Sequence, residues 1–329
     1  MGALRELRAE VDRAEMSRVV LVTSATLASS TPLVRSAEEL LEGRHQATFA
    51  GIREHTPETA VDELAELLGQ TSADGVVSFG GGSVIDGCKA AIHRRLPEHV
   101  QHVAVPTTLS GAEFTASAGL TDEATRRKRG LTDPSAAPQR VILDPEVTLP
   151  TPPRLWLSTG IRALDHAVET IWAPERDPLT RLLALEAIRG LRHSLPESRR
   201  RPDDLAVRER AQVAAWWAAL GLAGNTMGPS HHLGRLLGAT FSIGHGITSC
   251  VFLPATIDHM AATDPSSVAV LQDAFEVAGP ELVGRACRAF IQDLGLPTSL
   301  TEAGLPARDL PGFLAMVPED WRPIATACA

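Results

Sequence analysis

Val76-Val77-Ser78-Phe79 runs without a spacer into Gly80-Gly81-Gly82-Ser83, and Val84-Ile85-Asp86-Gly87-Cys88-Lys89 then takes up helical spacing. A β-branched run that ends in glycines at a helix start is a strand-turn-helix unit, the repeating element of parallel sheets. The first helical turn leaves backbone N–H groups unpaired, and the helix dipole adds partial positive charge there, so the turn suits a phosphate. Glycines matter because a Cβ would hold a phosphate off the backbone, and because some turn torsions exclude other residues. A plain structural turn accounts for three glycines equally well, so the rest of the chain has to decide.

Similar units flank this one. Residues 18–23 read as a buried strand, and Pro32 opens a helix over 33–41. Residues 47–52 read as a second strand. Thr56-Pro57-Glu58 reads as a helix start, with Thr56 as cap and Pro57 at the first position. That helix runs to Leu68 and leads into a strand over 75–79. A helix over 85–94, a strand over 102–105 and a strand around Val141-Ile142-Leu143-Asp144 complete the alternation. The expectation is a parallel, doubly wound α/β sheet over residues 1–150, with ligands at the carboxyl ends of its strands. From Pro150 onward Ala/Leu-rich segments dominate, at 160–172, 177–195, 204–223, 228–240 and 265–294. Residues 151–329 therefore read as an all-helical domain, with a polar loop over 198–204.

Composition narrows the function classes. The chain has 329 residues, a formal net charge of −9, 44% hydrophobic and 22% charged residues. No basic excess offsets phosphate repulsion, which argues against nucleic-acid partners. The local run Arg126-Arg127-Lys128-Arg129 reads as a solvated loop or helix face. Cys88, Cys250, Cys287 and Cys328 are widely scattered without a CxxC spacing, as in a reduced, cytoplasmic protein. No signal peptide or membrane span is expected, because no apolar run approaches the roughly 18 residues a span needs. Tyrosine is absent, so no tyrosine can act as the general acid.

Segments in one register through residues 18–310 resemble the iron-containing (group III) alcohol dehydrogenase family, and within it the maleylacetate reductase branch. They are Phe49-Ala50-Gly51-Ile52 with His55-Thr56-Pro57; Gly80-Gly81-Gly82-Ser83 with Asp86 and Lys89; Pro106-Thr107-Thr108 with Ser110-Gly111-Ala112-Glu113; and Ile142-Leu143-Asp144-Pro145. Further on come Ala163-Leu164 with His166-Ala167 and Glu169, then His231, His245-Gly246 and Leu253-Pro254. The resemblance implies a nucleotide-binding α/β domain over 1–150, a helical substrate and catalytic domain over 151–329, and an active site in the cleft between them. It implies that Gly80, Gly81, Gly82, Ser83 and Asp86 belong to the pyrophosphate site, with Thr107, Thr108 and Ser110 lining the cofactor. Many members carry an acidic residue after the first strand that contacts the adenosine ribose. Here Ser24 matches that position, which leaves NAD(H) and NADP(H) both admissible. Family members are commonly dimers or larger, so a homodimer is expected.

Metal-dependent members bind a divalent ion through one aspartate and three histidines. His166 matches the helix histidine, and His231 and His245 match the pair that follows. The aspartate position is Arg162, four residues before His166. A guanidinium there removes a ligand and adds a fixed cation. At about 5 Å and an effective dielectric near 20, each unit of metal charge is repelled by roughly 3 kcal/mol. Metal is therefore not expected. Arg235 stands where the family often carries a further histidine, and Asp165 is placed either to replace the missing ligand or to pair with Arg162. Two arginines at functional positions suit an anionic substrate.

The expected function is a metal-independent NAD(P)H-dependent reductase of a small keto or enone carboxylic acid. Arg162 or Arg235 would stabilise the oxyanion, His231 or His245 would supply the proton, and His166 would complete the site. The alternative is a non-redox lyase, isomerase or cyclase on the same fold, acting on an anionic, enolisable substrate. His45, His93, His99, His102, His193 and His259 sit in polar or terminal contexts without a chemical role, and His232 matches no ligand position.

Overall fold

The computed structural model describes the whole chain except residues 97, 126, 174–176 and 223–227. The chain divides into two compact units, Met1–Thr151 and Pro152–Ala329.

The first unit is built on strands β1 (Val19–Val22), β2 (His45–Phe49), β3 (Gly75–Gly80), β4 (Gln101–Pro106) and β7 (Arg140–Val141). They form one parallel sheet in the order β2-β1-β3-β4-β7. Side chains alternate along each strand, so the sheet feeds two cores. Val20, Val22 and Val76 face the helices α4 (Glu58–Gln70) and α5 (Gly82–Arg94), packing with Leu64, Leu68, Val84 and Cys88. Val19, Leu21, Val77 and Phe79 face the other way, toward α1 (Leu7–Arg13) and α3 (Leu33–Leu40), packing with Leu7, Val11, Val34 and Leu41. A short helix α2 (Ala25–Ser30) follows β1. Strand order reverses between β1 and β3, and in open α/β sheets a ligand crevice lies at that switch point. The glycine turn stands at the carboxyl end of β3, beside it.

Several local expectations need correction. The second strand is His45–Phe49, not 47–52, and the strand near Asp144 is only Arg140–Val141. Asp144 instead accepts the N–H groups of Gly2 (3.1 Å), Leu4 (2.8 Å) and Glu146 (3.0 Å), which pins the start of the chain beside β7. Thr56 does not cap α4. It and His55 take left-handed backbone (φ 52° and 66°), and the N-cap is Pro57. The basic run lies on neither a loop nor a helix face: Arg127–Thr132 is strand β6, paired antiparallel with β5 (Ser117–Asp122) as a ribbon. Arg126, the first residue of that run, lies outside the described residues. His102 sits in a buried rather than a polar place, on β4, with Nε2 2.8 Å from Ser78 Oγ and Nδ1 3.2 Å from the Ala136 carbonyl.

Helices make up the second unit: α6 (Pro153–Trp172), α7 (Pro178–Arg200), α8 (Leu205–Leu220), α9 (Pro229–Phe241), α10 (His245–Thr263), α11 (Pro265–Ala269), α12 (Gln272–Phe275), α13 (Val283–Asp293), α14 (Leu310–Met316) and α15 (Arg322–Thr326). The expected loop over 198–204 begins late, because α7 continues through Pro196 to Arg200. The stretch expected as helix over 204–223 ends its described part at Leu220, and residue 223 lies outside the described residues. Residues 265–294 form three separate α-helices and a short 3-10 helix at Pro280–Leu282. α10 was not expected as a helix, and it carries Pro254 internally. Helices α6 and α10 are buried on nearly every side, which makes them the axis of this unit. All four cysteines are buried and unpaired. Among the described residues no helix is long and apolar enough to cross a membrane.

Candidate functional site

In the first unit the glycine turn and the threonine turn lie against each other. β3 ends at Gly80, Gly81 caps α5 in extended backbone (φ −83°, ψ −176°), and Gly82 is the first helical residue. None of Gly80, Gly81 and Gly82 has positive φ, so torsion does not require glycine here. Space does. A Cβ on Gly81 would meet Thr108 Cγ2 at 3.0 Å, and one on Gly82 would meet Ser110 Oγ at 2.8 Å. The Thr107 N–H donates to the Gly80 carbonyl at 2.9 Å and locks the two turns together. Gly111 takes φ 73°, the left-handed geometry that lets the second turn fold back. The buried Thr108 hydroxyl has no hydrogen-bond partner among the described residues. The open first turn of α5 and this orphaned hydroxyl fit an anionic group such as a dinucleotide pyrophosphate.

Asp86 faces elsewhere. Its Oδ2 accepts the Gly119 N–H at 3.1 Å and its Oδ1 lies 3.3 Å from Lys89 Nζ. Lys89 is sealed from solvent and donates to the carbonyls of Ala112 (2.6 Å) and Ser117 (2.7 Å). Asp86 and Lys89 thus fasten the β5–β6 ribbon to α5. Burial pushes the neighbouring Glu113 carboxyl up to about 7. Ser24 caps α2, its Oγ accepting the Leu27 N–H at 3.3 Å.

In the second unit, α6 presents Arg162, Asp165, His166 and Glu169 toward α9 and α10. Spacings of three, four and seven put these side chains along one stripe of a helix. Glu169 Oε1 accepts the Ser230 N–H (2.9 Å) and Oε2 accepts the Gly228 N–H (2.8 Å), so this carboxylate terminates α9. His231 Nδ1 lies 2.5 Å from Glu169 Oε2 and 3.4 Å from Asp165 Oδ2. Asp165 Oδ2 accepts the hydroxyls of Ser230 (2.9 Å) and Ser249 (2.7 Å). Arg162 donates to Ser249 Oγ at 3.1 Å, and its Nη1 lies 3.7 Å from Asp165 Oδ2.

Burial governs the charges. It drives His231 down to about 3, with the Arg162 guanidinium reinforcing it, and His166 well below the ordinary histidine range, with His231 reinforcing it. Both rings are neutral imidazoles at physiological pH. Burial also raises Asp165, and raises Glu169 to about 7. Arg162 is mostly buried, with 14% of its side chain exposed, and is the cation of this cluster. His245 begins α10 and is half-buried, while Arg235 is exposed on α9 one turn beyond His231.

The family-type ion is poorly matched by these positions. His166 and His231 stack with centroids 4.9 Å apart and planes inclined by 26°. Lone pairs in near-parallel ring planes do not converge on one ion. Arg162 is held by Asp165 and Ser249, and a guanidinium has no lone pair to offer an ion. Another grouping does have metal-type donors: ligand atoms of Asp165, Glu169 and His231 lie within 4.8 Å of one another. The expectation that metal is unlikely therefore has no support from this grouping. Asp165 Oδ1, His166 Nδ1 and both ring nitrogens of His231 are buried without a hydrogen-bond partner among the described residues. Sequence reading offered Asp165 as a substitute ligand or as the partner of Arg162, quoted Glu169 and Lys89 without a role, and missed Ser230 and Ser249. The helical stripe was the signal for the two carboxylates, whereas the serines lie on other helices and left none.

A parallel α/β unit with this glycine turn is followed by a helical unit carrying this polar stripe, and the relatives of a chain so built are oxidoreductases. Residues 1–145 match the profile of iron-containing alcohol dehydrogenases, and residues 156–323 match the C-terminal profile of the same family. The chain belongs to the iron-containing alcohol dehydrogenase family. It is 32% identical over 310 residues to a maleylacetate reductase of Delftia acidovorans, covering 94% of this chain and 85% of that protein. Its fold superposes on the maleylacetate reductase of Agrobacterium tumefaciens with a TM-score of 0.88 at 27% identity, covering 99% and 93% of the two chains. The maleylacetate reductase of Rhizobium sp. strain MTP-10005 gives the same score and identity, covering 100% and 94%.

Proposed function

We propose that this protein is a metal-independent, NAD(P)H-dependent reductase of a small keto or enone carboxylic acid, similar to maleylacetate reductase. The observation that carries the proposal is the Arg162 guanidinium, fixed by Ser249 and Asp165 at the position of the family's acidic ligand. The relatives' names support the substrate class, and favour net redox chemistry over the lyase, isomerase or cyclase alternative.

On this reading Gly81, Gly82 and Ser83 hold the pyrophosphate through the open turn of α5, and Thr107, Thr108 and Ser110 line the same cradle. The dinucleotide, when bound, supplies the hydride. Arg162 stabilises the negative charge that reduction builds on the substrate's carbonyl oxygen. A guanidinium does not release its proton near neutrality, so a histidine must deliver one. His245 takes that role, because His231 is fully buried and burial holds its ring neutral. Arg235, exposed on α9, binds a substrate carboxylate. His166 packs on His231 and holds its ring in place.

The test is oxidation of NADH and NADPH with maleylacetate and a panel of other oxo-acids, in the presence of a chelator. Absence of turnover across the panel defeats the proposal; turnover that the chelator abolishes defeats its metal-independent part.

A further inference from the structure

In a metal-dependent site one ion does two jobs: it joins ligands from several helices, and it supplies positive charge. In this chain the two jobs fall to different groups. Asp165 is fully buried on α6 and receives hydroxyl protons from Ser230, at the start of α9, and from Ser249, on α10. The carboxylate therefore ties three helices at one oxygen. Ser249 has a single hydroxyl proton. Having given it to Asp165, its oxygen can only accept, and what it accepts is the Arg162 guanidinium. Donor and acceptor directions are consistent along the path from Arg162 through Ser249 to Asp165.

We infer that Asp165, Ser230 and Ser249 are positioning residues that take over the cross-linking of a metal ion and hold Arg162 as the fixed cation of the site. The inference rests on the metal-independent reading above. Neither charge of the pair is dispensable. Without Arg162 the buried Asp165 loses its counter-ion, and without Asp165 the buried guanidinium does. Replacing Arg162 by aspartate would place three carboxylates, with Asp165 and Glu169, along one stripe of α6, an arrangement that calls for a divalent cation.

Two measurements test this. The first compares Ser249→Ala, which deletes the shared hydroxyl, with Ser249→Thr, which keeps it. Ser249→Ala is expected to lower kcat for maleylacetate about tenfold, with NADH affinity by fluorescence unchanged, and Ser249→Thr to restore most of the loss. Equal kcat in the two variants overturns the inference, since a merely structural serine would not distinguish them in that way. The second needs no turnover. Thermal melts of the wild-type protein with and without EDTA are expected to coincide, while the melting temperature of Arg162→Asp is expected to rise when zinc is added. A wild-type melt lowered by EDTA, a stoichiometric ion in the purified protein, or an Arg162→Asp melt indifferent to zinc overturns it. If wild type reduces no oxo-acid at all, the functional reading fails, and the melts still decide this one.

Discussion

His231 Nδ1 and Glu169 Oε2 meet at 2.5 Å, with both side chains closed off from water. Glu169 accepts two backbone N–H groups at the start of α9, and burial raises its carboxyl to about 7. The ring approaches the carboxylate without the geometry of a hydrogen bond: neither Nδ1 nor Nε2 of His231 has a hydrogen-bond partner among the described residues. A neutral imidazole carries its proton on one ring nitrogen and a lone pair on the other, and His231 keeps both uncommitted inside the second unit.

The two arginines should divide by kinetic parameter. On the proposed reading Arg162 lies next to the developing oxyanion, and Arg162→Ala is expected to lower kcat about 10²- to 10³-fold. The same reading gives the exposed Arg235 a substrate carboxylate to bind, so Arg235→Ala should act mainly by raising KM. Steady-state kinetics with maleylacetate separates the two; a mainly kcat effect at Arg235 would reverse the assignment.

At the glycine turn the constraint is volume. Gly82→Ala brings a methyl to 2.8 Å from Ser110 Oγ and 3.1 Å from its Cβ. NADH affinity is expected to fall about tenfold, roughly 1.4 kcal/mol, by distortion of the cradle. Fluorescence titration measures it, and an unchanged affinity excludes the crowding as a constraint on binding.

His102 gives the first unit a pH-sensitive contact. Burial depresses its folded pKa to about 3, with Lys89 adding to the effect. The unfolded ring titrates near 6.5, so between those values the unfolded chain binds more protons. Its contribution is therefore complete above about pH 6.5 and declines as pH falls toward 3, by an amount on the order of a few kcal/mol. Buried carboxyls such as Glu113, held up to about 7, titrate in an overlapping window with the opposite sign. The test is consequently a difference: denaturant unfolding of wild type minus His102→Gln, at about pH 7 and about pH 5. The gap should narrow on acidification; a constant gap excludes the histidine as the source.

Asp144→Ala should destabilise the fold without touching chemistry. It strands the N–H groups of Gly2, Leu4 and Glu146, three bonds to one charged acceptor. The expected cost is about 3 kcal/mol in chemical denaturation. Residual activity at low temperature should match wild type.

Sequence reading worked where local patterns carry the information. The run into Gly80 placed β3 and the turn, since a β-branched strand and a glycine-led helix each announce themselves. It faltered where tertiary contacts decide. α10 is buried on most sides and so lacks an amphipathic stripe, and Pro254 within it imitates a helix end. The basic residues of β6 pair across a ribbon edge and show no apolar alternation. A spacing of three offered the pairing of Arg162 with Asp165, beside the alternative of Asp165 as a ligand, and the structure shows the pair. That Ser249, 87 residues away, would sit between them depends on how α10 packs, and no local pattern encodes that.

The buried cysteines turn the native enzyme into its own clock. Cys88 lies in the first unit, and Cys250, Cys287 and Cys328 lie in the second. Burial raises every one of these thiols, Cys328 to about 12, so alkylation must wait for the surrounding structure to open. Peptide-resolved alkylation would therefore time the opening of each unit separately, with no label or substitution added. A ligand that slows modification of Cys88 alone would report binding to the first unit, read from a thiol already in the chain.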